Sequence, residues 1–220
     1  LILDKNGKKM SKHVGNTVNP FEMLDKYGAD ATRWYLLHTS PAWSPTKFDE
    51  DGLIEITSKF FGTLRNVYNF FVLYSNQDNI DIGKVFVDYR KRPELDRWIL
   101  SKYNRLIDDV TEEMNRYDHM KTVRKIQNFV VEDLSNWYIR RARRRFWAEE
   151  LTEDKKSVYA TTYEILVGVA QLMAPFAPFI SDEIYTDLTG AESVHLSFFP
   201  KSDADLIDEK VEERMDLVRD

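Results

Sequence analysis

Cysteine is absent from all 220 residues. That excludes disulfides and any cysteine-ligated zinc or iron–sulfur centre, and the four scattered histidines supply no metal-ligand spacing. Glycine (8) and proline (7) are scarce, and no internal repeat or low-complexity run occurs. No apolar stretch reaches the roughly 20 residues that a membrane helix needs. The first residues, LILDKNGKKM, carry neither a starting Met nor the basic-then-apolar pattern of a signal peptide. Lack of cysteine suits a reducing compartment, so the expected location is cytoplasmic. An overall excess of positive charge is also missing. The formal net charge is −6, so a nucleic-acid site must be a local basic patch on an acidic body. What the chain does have is apolar residues, 43% hydrophobic and 13% aromatic, ample for a buried core. Its opening residues read as the inside of a strand, so the expectation is a piece of a longer protein, and a monomer.

Element signals are clear. LILD, then Lys5-Asn6-Gly7, then KKMS reads as a β-hairpin with a two-residue turn, because Asn-Gly tolerates the positive φ angles required there. Asn19-Pro20-Phe21-Glu22 reads as a capped helix start, closed by Gly28, and a second helix runs to Ser40-Pro41. Leu53, Ile56, Phe60, Leu64, Val67 and Phe71 form one apolar stripe at helical spacing over residues 49–75. Further helices are predicted from Pro93 to about Asn115, from Asp118 to about Ala148, and from Thr152 to Met173. Pro175 and Pro178 then break the pattern before a shorter helix ending at Gly190. VHLSFFP reads as extended, and 203–219 as a last acidic helix. The predicted fold is mainly α: a small α/β piece (1–45), an antiparallel helical bundle (46–200) and an acidic C-terminal helix (201–220).

Two basic features carry possible chemistry. Lys9 and Lys12 flank Met10-Ser11 and precede His13, on a loop shaped by glycine. As flexible point charges they can approach a polyphosphate from several sides, or they can simply form a solvated basic hairpin. The second feature is NWYIRRARRRFW at 136–147, with five arginines in six positions. Residues 119–147 hold eight Lys or Arg against Glu132 and Asp133, a local excess of six positive charges. At 100° per residue, Val123, Ile126, Val130, Leu134 and Trp137 share one face, and continuing it brings up Arg141 and Arg144. An apolar stripe that turns cationic must either pair its guanidiniums with buried carboxylates or present them in a groove. The acidic residues of 182–220 could supply such pairing. Alternatively Arg140, Arg141, Arg143, Arg144, Arg145, Lys121, Arg124 and Lys125 could grip an RNA backbone, with Trp137 or Tyr138 stacking on unpaired bases. Of the two aromatics, Trp137 falls on the core face.

Lys9-Met10-Ser11-Lys12 resembles the KMSKS signature of class I aminoacyl-tRNA synthetases, and Gly15-Asn16 followed by NPFEMLDKYGADATRWYLL extends the likeness. SPAWSPTKFDEDG (40–52), RPELDRWILS (92–101), NWYIRRARRRFW and MAPFAPFISDEIY (173–185) resemble the isoleucine-specific family, with the valine-specific family as nearest rival. The resemblance implies ATP with Mg2+ and isoleucine as substrates of an intact enzyme, and tRNA(Ile) as partner. It implies that Lys9, Met10, Ser11, Lys12 and His13 form an ATP-binding loop, in which Lys9 and Lys12, the latter the more important, are catalytic in offsetting triphosphate charge as pyrophosphate leaves, while Ser11 and the loop backbone hold the shape. It also implies that the bundle binds the anticodon end of the tRNA. His13 departs from the serine usual at the fifth position. The family's other ATP signature, HIGH, has no match here, so the fragment alone is expected to be inactive. A non-catalytic RNA-binding helical module is the alternative.

Overall fold

The computed structural model describes residues 1–219; the final Asp220, the last residue of the predicted acidic helix, lies outside them. Strand β1 (Ile2–Leu3) pairs in parallel with β2 (Thr46–Lys47), in the register Ile2 with Thr46 and Leu3 with Lys47. The predicted hairpin is reduced to a single antiparallel bridge between Leu3 and Lys9. Asn6 does not adopt positive φ; Gly7 does, at 79°. The turn therefore closes as a three-residue loop with a left-handed glycine: Gly7 N–H donates to Asp4 C=O and Asp4 N–H to Lys8 C=O, each at 2.9 Å.

Helix α1 (Pro20–Tyr27) begins as its sequence dictates. Asn19 Oδ1 accepts from Phe21 N–H at 3.0 Å, Pro20 takes the first turn, and Gly28 ends the helix at φ 83°. Glu22 reaches back to the Asn19 side-chain amide at 3.0 Å. Next come α2 (Ala29–Thr39), then α3 (Glu50–Glu55), which runs through a π-helical turn (Ile56–Phe61) into α4 (Gly62–Gln77). All six stripe residues from Leu53 to Phe71 are buried, as their spacing predicts.

Three further long helices complete the bundle. These are α5 (Glu94–Asn115), a helix opened by the Asp118 cap and spanning α6 (His119–Asn128), a π-helical stretch (Phe129–Ile139) and α7 (Arg140–Phe146), and α8 (Glu153–Met173), capped by Thr152. After the Pro175 break, α9 (Pro178–Thr189) stops at the left-handed Gly190. VHLSFFP is not extended throughout: Val194–Leu196 forms a 3-10 turn with Val194 buried. The last predicted helix is shorter than expected. A 3-10 turn at Ala204–Leu206 precedes α10 (Glu209–Arg219), because the Asp203 carboxylate draws in Asp205 N–H and Ser101 Oγ accepts Asp208 N–H.

One hydrophobic core runs through the chain without a break near residue 45. Trp34 of α2, fully buried, stacks on Phe60 with ring centroids 4.5 Å apart and meets Phe61 and Phe176 edge-on. Polar contacts reinforce that junction. Asp30 accepts from the N–H groups of Phe179 and Ile180 at the start of α9, and Arg33 donates to the carbonyls of Pro175 and Phe176. The small N-terminal piece is thereby seated on the bundle.

Candidate nucleotide and nucleic-acid surfaces

The lysine loop is held by a side-chain clip. Asp4 accepts from Asn6 N–H (3.0 Å) and Lys8 N–H (2.8 Å) through Oδ1, and from Asn16 Nδ2 (2.8 Å) through Oδ2. Asn16 completes the loop by accepting Ser11 N–H at 2.9 Å and donating to Lys9 C=O at 3.3 Å. The Asn16 hydrogen bond, then the Lys8 amide, hold the Asp4 carboxyl below its usual range. Ser11 Oγ accepts His13 N–H, and Gly15, at φ 70°, turns the chain back toward Asn16. Met10 packs against the core, whereas Lys9, Lys12 and His13 are exposed. Neither Lys9 nor Lys12 has a carboxylate partner among the described residues. An anchored methionine between two unneutralised ammonium groups is a loop able to meet a polyanion. Asp4 and Asn16 as a positioning pair were not foreseen; only their side-chain geometry reveals it.

The arginine helix departs from the 100° extrapolation. Thr122, Ile126, Val130, Leu134, Tyr138, Ala142 and Phe146 recur every four residues, and none is more than 1% exposed. In a pure α-helix a four-residue step drifts by about 40°, so six steps would carry the row roughly 240° around the axis and out of the core. The eleven-residue π stretch, with its wider i→i+5 turns, takes up that drift. The buried row accordingly passes through Tyr138 rather than Trp137. Tyr138 is fully buried and donates to Asp96 at 2.9 Å, which corrects the expectation that it stacks on RNA bases. Burial, and then the Asp96 charge, push its phenol well above the ordinary range. Trp137 is half-buried, and the Arg141 guanidinium lies 3.0 Å from its ring centre.

Arg145 is also corrected. Its guanidinium turns inward and forks onto buried Asp96 (2.5 and 2.8 Å), with a further bond to Asp154 at 3.0 Å. Burial opposes its charge, but the Asp96 hydrogen bonds and field outweigh that and raise its affinity for the proton. Ser157 Oγ donates to the same carboxylate at 2.6 Å. Asp96 thus anchors the inner side of α7.

Lys121 sits 3.2 Å from Asp118, and Lys125 pairs with Asp109 and Glu113 at 3.2 and 3.4 Å, so both are partly neutralised. Arg124 is held differently: it donates to the carbonyls of His38 (3.0 Å) and Thr39 (3.4 Å), which fixes its position and leaves its charge uncancelled. Arg140, Arg143 and Arg144 are exposed and have no carboxylate partner among the described residues. The acidic C-terminal helix does not neutralise them. Its Glu209 and Glu212 bind Arg105, and its Arg219 binds Asp133. Trp147, 53% exposed at the end of α7, is an aromatic next to these arginines that sequence reasoning missed. Its signal was available in the four-residue spacing, which places it outside the buried row.

Among the described residues no group of three His, Asp or Glu is arranged to hold a metal ion, and no helix is long and apolar enough to cross a membrane. The chain is 50% identical, over its whole length, to isoleucine--tRNA ligases of Porphyromonas gingivalis and Cytophaga hutchinsonii. It is 45% identical over 98% of its length to that of Clostridium acetobutylicum. It spans about a fifth of these relatives (19%, 20% and 21%). The fold resembles part of a chain in the crystal structure of the ternary complex of Agrobacterium radiobacter LeuRS, tRNA and LeuAMS. That match has a TM-score of 0.70 and 22% identity, and covers 94% of this chain and 24% of that one. Residues 1–49 match the class I tRNA synthetases (I, L, M and V). Since residues 96–220, more than half of the chain, match the anticodon-binding domain of tRNA ligases, the chain belongs to that family.

Proposed function

We propose that the chain is the part of an isoleucine–tRNA ligase that runs from the ATP-closing loop through the tRNA-binding bundle. The observation carrying this reading is identity at half of all positions, over the full chain, with isoleucine--tRNA ligases. In the intact enzyme, isoleucine attacks the α-phosphate of ATP and pyrophosphate leaves; the aminoacyl group then passes to tRNA(Ile). The Asp4–Asn16 clip holds a loop from which Lys9 and Lys12 offset charge building on the departing pyrophosphate, with Lys12 the more important. Met10, Ser11 and His13 keep that loop in shape. Mg2+ would enter with the ATP and offset phosphate charge there; no group of three His, Asp or Glu among the described residues is arranged to hold it. Arg124, Arg140, Arg141, Arg143 and Arg144 supply the phosphate grip on tRNA, and residues 1–45 and 46–200 divide the nucleotide and tRNA tasks between them. In this reading Lys121 and Lys125, already close to carboxylates, contribute less, and Arg145 acts through position.

The test is isoleucine-dependent ATP–pyrophosphate exchange in the full-length parent. Lys12→Ala is expected to slow it by roughly a hundredfold or more, the usual effect of removing one transition-state charge donor, with tRNA affinity unchanged. Exchange at the normal rate would overturn the assignment. The 220-residue chain alone is expected to bind tRNA with an affinity that falls steeply as salt rises.

A further inference from the structure

The strict four-residue period that buries one side of the helix from α6 to α7 has a counterpart on the opposite side. Arg124, Asn128, Glu132, Asn136, Arg140 and Arg144 are all exposed and follow one another every four residues. In a uniform α-helix Arg124 and Arg144 would stand about 200° apart, one of them facing the core. The π stretch keeps the row on the solvent side, along at most about 30 Å of helix. Its ends are cationic. Its middle is not.

Asn128 and Asn136 add no positive charge to attract a polyanion, and the unpaired Glu132 carboxylate between cations lowers that attraction. Glu132 has no cationic partner among the described residues; its polar neighbour is Asn136, whose Nδ2 donates to Glu132 Oε2 at 3.2 Å. These are, however, the side chains suited to base edges. An amide presents a donor and an acceptor side by side, and a carboxylate accepts from an exocyclic amine. Unpaired loop bases are the ones whose edges are open to such contacts.

We propose that Asn128, Glu132 and Asn136 read the edges of unpaired bases in an RNA loop whose phosphates are held by Arg124 at one end and Arg140 and Arg144 at the other. The proposal rests on the tRNA-binding reading and assigns its specificity to the middle of the row.

The experiment measures binding of the 220-residue chain to an RNA stem–loop copying the isoleucine anticodon arm, and to versions with single loop bases changed. Glu132→Gln combined with Asn136→Ala is expected to shrink the preference among loops by about tenfold, with the salt slope unaltered. Arg140→Gln and Arg144→Gln are expected to weaken every loop alike and to flatten the salt dependence. All four positions are exposed, and surface substitutions of this kind leave the fold intact. A loop preference that survives in the Glu132/Asn136 variant overturns the proposal. Salt-dependent binding without any loop preference in the unaltered chain also overturns it, while leaving the tRNA-binding reading standing. No binding to any of the RNAs overturns both.

Discussion

Replacing Asp96 with alanine should be among the most damaging single changes in the molecule. Its carboxylate is fully buried and accepts hydrogen bonds from Tyr138, from both terminal nitrogens of Arg145 and from Ser157. Removing one partner of a buried ion pair costs about 3–5 kcal/mol, because the remaining charge stays desolvated without compensation. Asp154 still faces Arg145, so the lower end, about 3 kcal/mol, is expected. For a chain of this size that corresponds to a fall in Tm of roughly 6–12 °C. Urea unfolding followed by circular dichroism measures the loss, and hydrogen exchange locates it, with amides of 140–146 expected to exchange faster. The double variant Asp96→Ala, Arg145→Met distinguishes a charge effect from a packing effect. With both charges gone, more than half of the lost stability should return. A loss below about 1 kcal/mol for Asp96→Ala, or a double variant less stable than the single, would refute the claim that this carboxylate pins α7.

Two other perturbations test the packing and the junction between α2 and α6. A Cβ at Gly168 would lie 1.7 Å from the Tyr103 hydroxyl oxygen, so Gly168→Ala should destabilise by about 1–3 kcal/mol through overpacking, although alanine is the better helix former by about 1 kcal/mol. A urea midpoint that rises would show that Tyr103 can move aside. Burial first, and then the Arg124 charge, lower the affinity of His38 for a proton in the folded state. The unfolded chain therefore binds that proton at higher pH than the folded one, so this residue's contribution is present above its ordinary pKa of about 6.5 and is lost as pH falls below it. Tm should drop between about pH 7 and about pH 5.5. That slope should be shallower in His38→Gln, and an unchanged slope would assign the effect elsewhere.

The helix starts and stops were legible because they depend on neighbouring residues. Asn19 accepts a backbone N–H two residues on, Asp118 and Thr152 each accept one three residues on, and Gly190 closes α9 in the left-handed region. The apolar stripe from Leu53 to Phe71 was equally plain, and so was the KMSK-type loop, whose residue types carry the resemblance without any coordinates. The relatives at half identity support the family reading for the same reason: it was written in local runs.

The register of the arginine helix was not local. A period of 3.6 fits α6, but the run of buried residues from Thr122 to Phe146 has a period of four, and only packing against α5, α4 and α8 selects the π winding that satisfies it. That choice buried Tyr138 in place of Trp137, turned Arg145 onto Asp96, forty-nine positions away in sequence, and left Arg140, Arg143 and Arg144 in water. Sequence determined which groups this protein has and where most of its helices begin and end, since propensity and capping act over a few residues; the start of α10, set partly by Ser101 of α5, is the exception. Tertiary structure decided which of its charges are cancelled and which are presented, because desolvation and ion pairing depend on partners that only folding brings together.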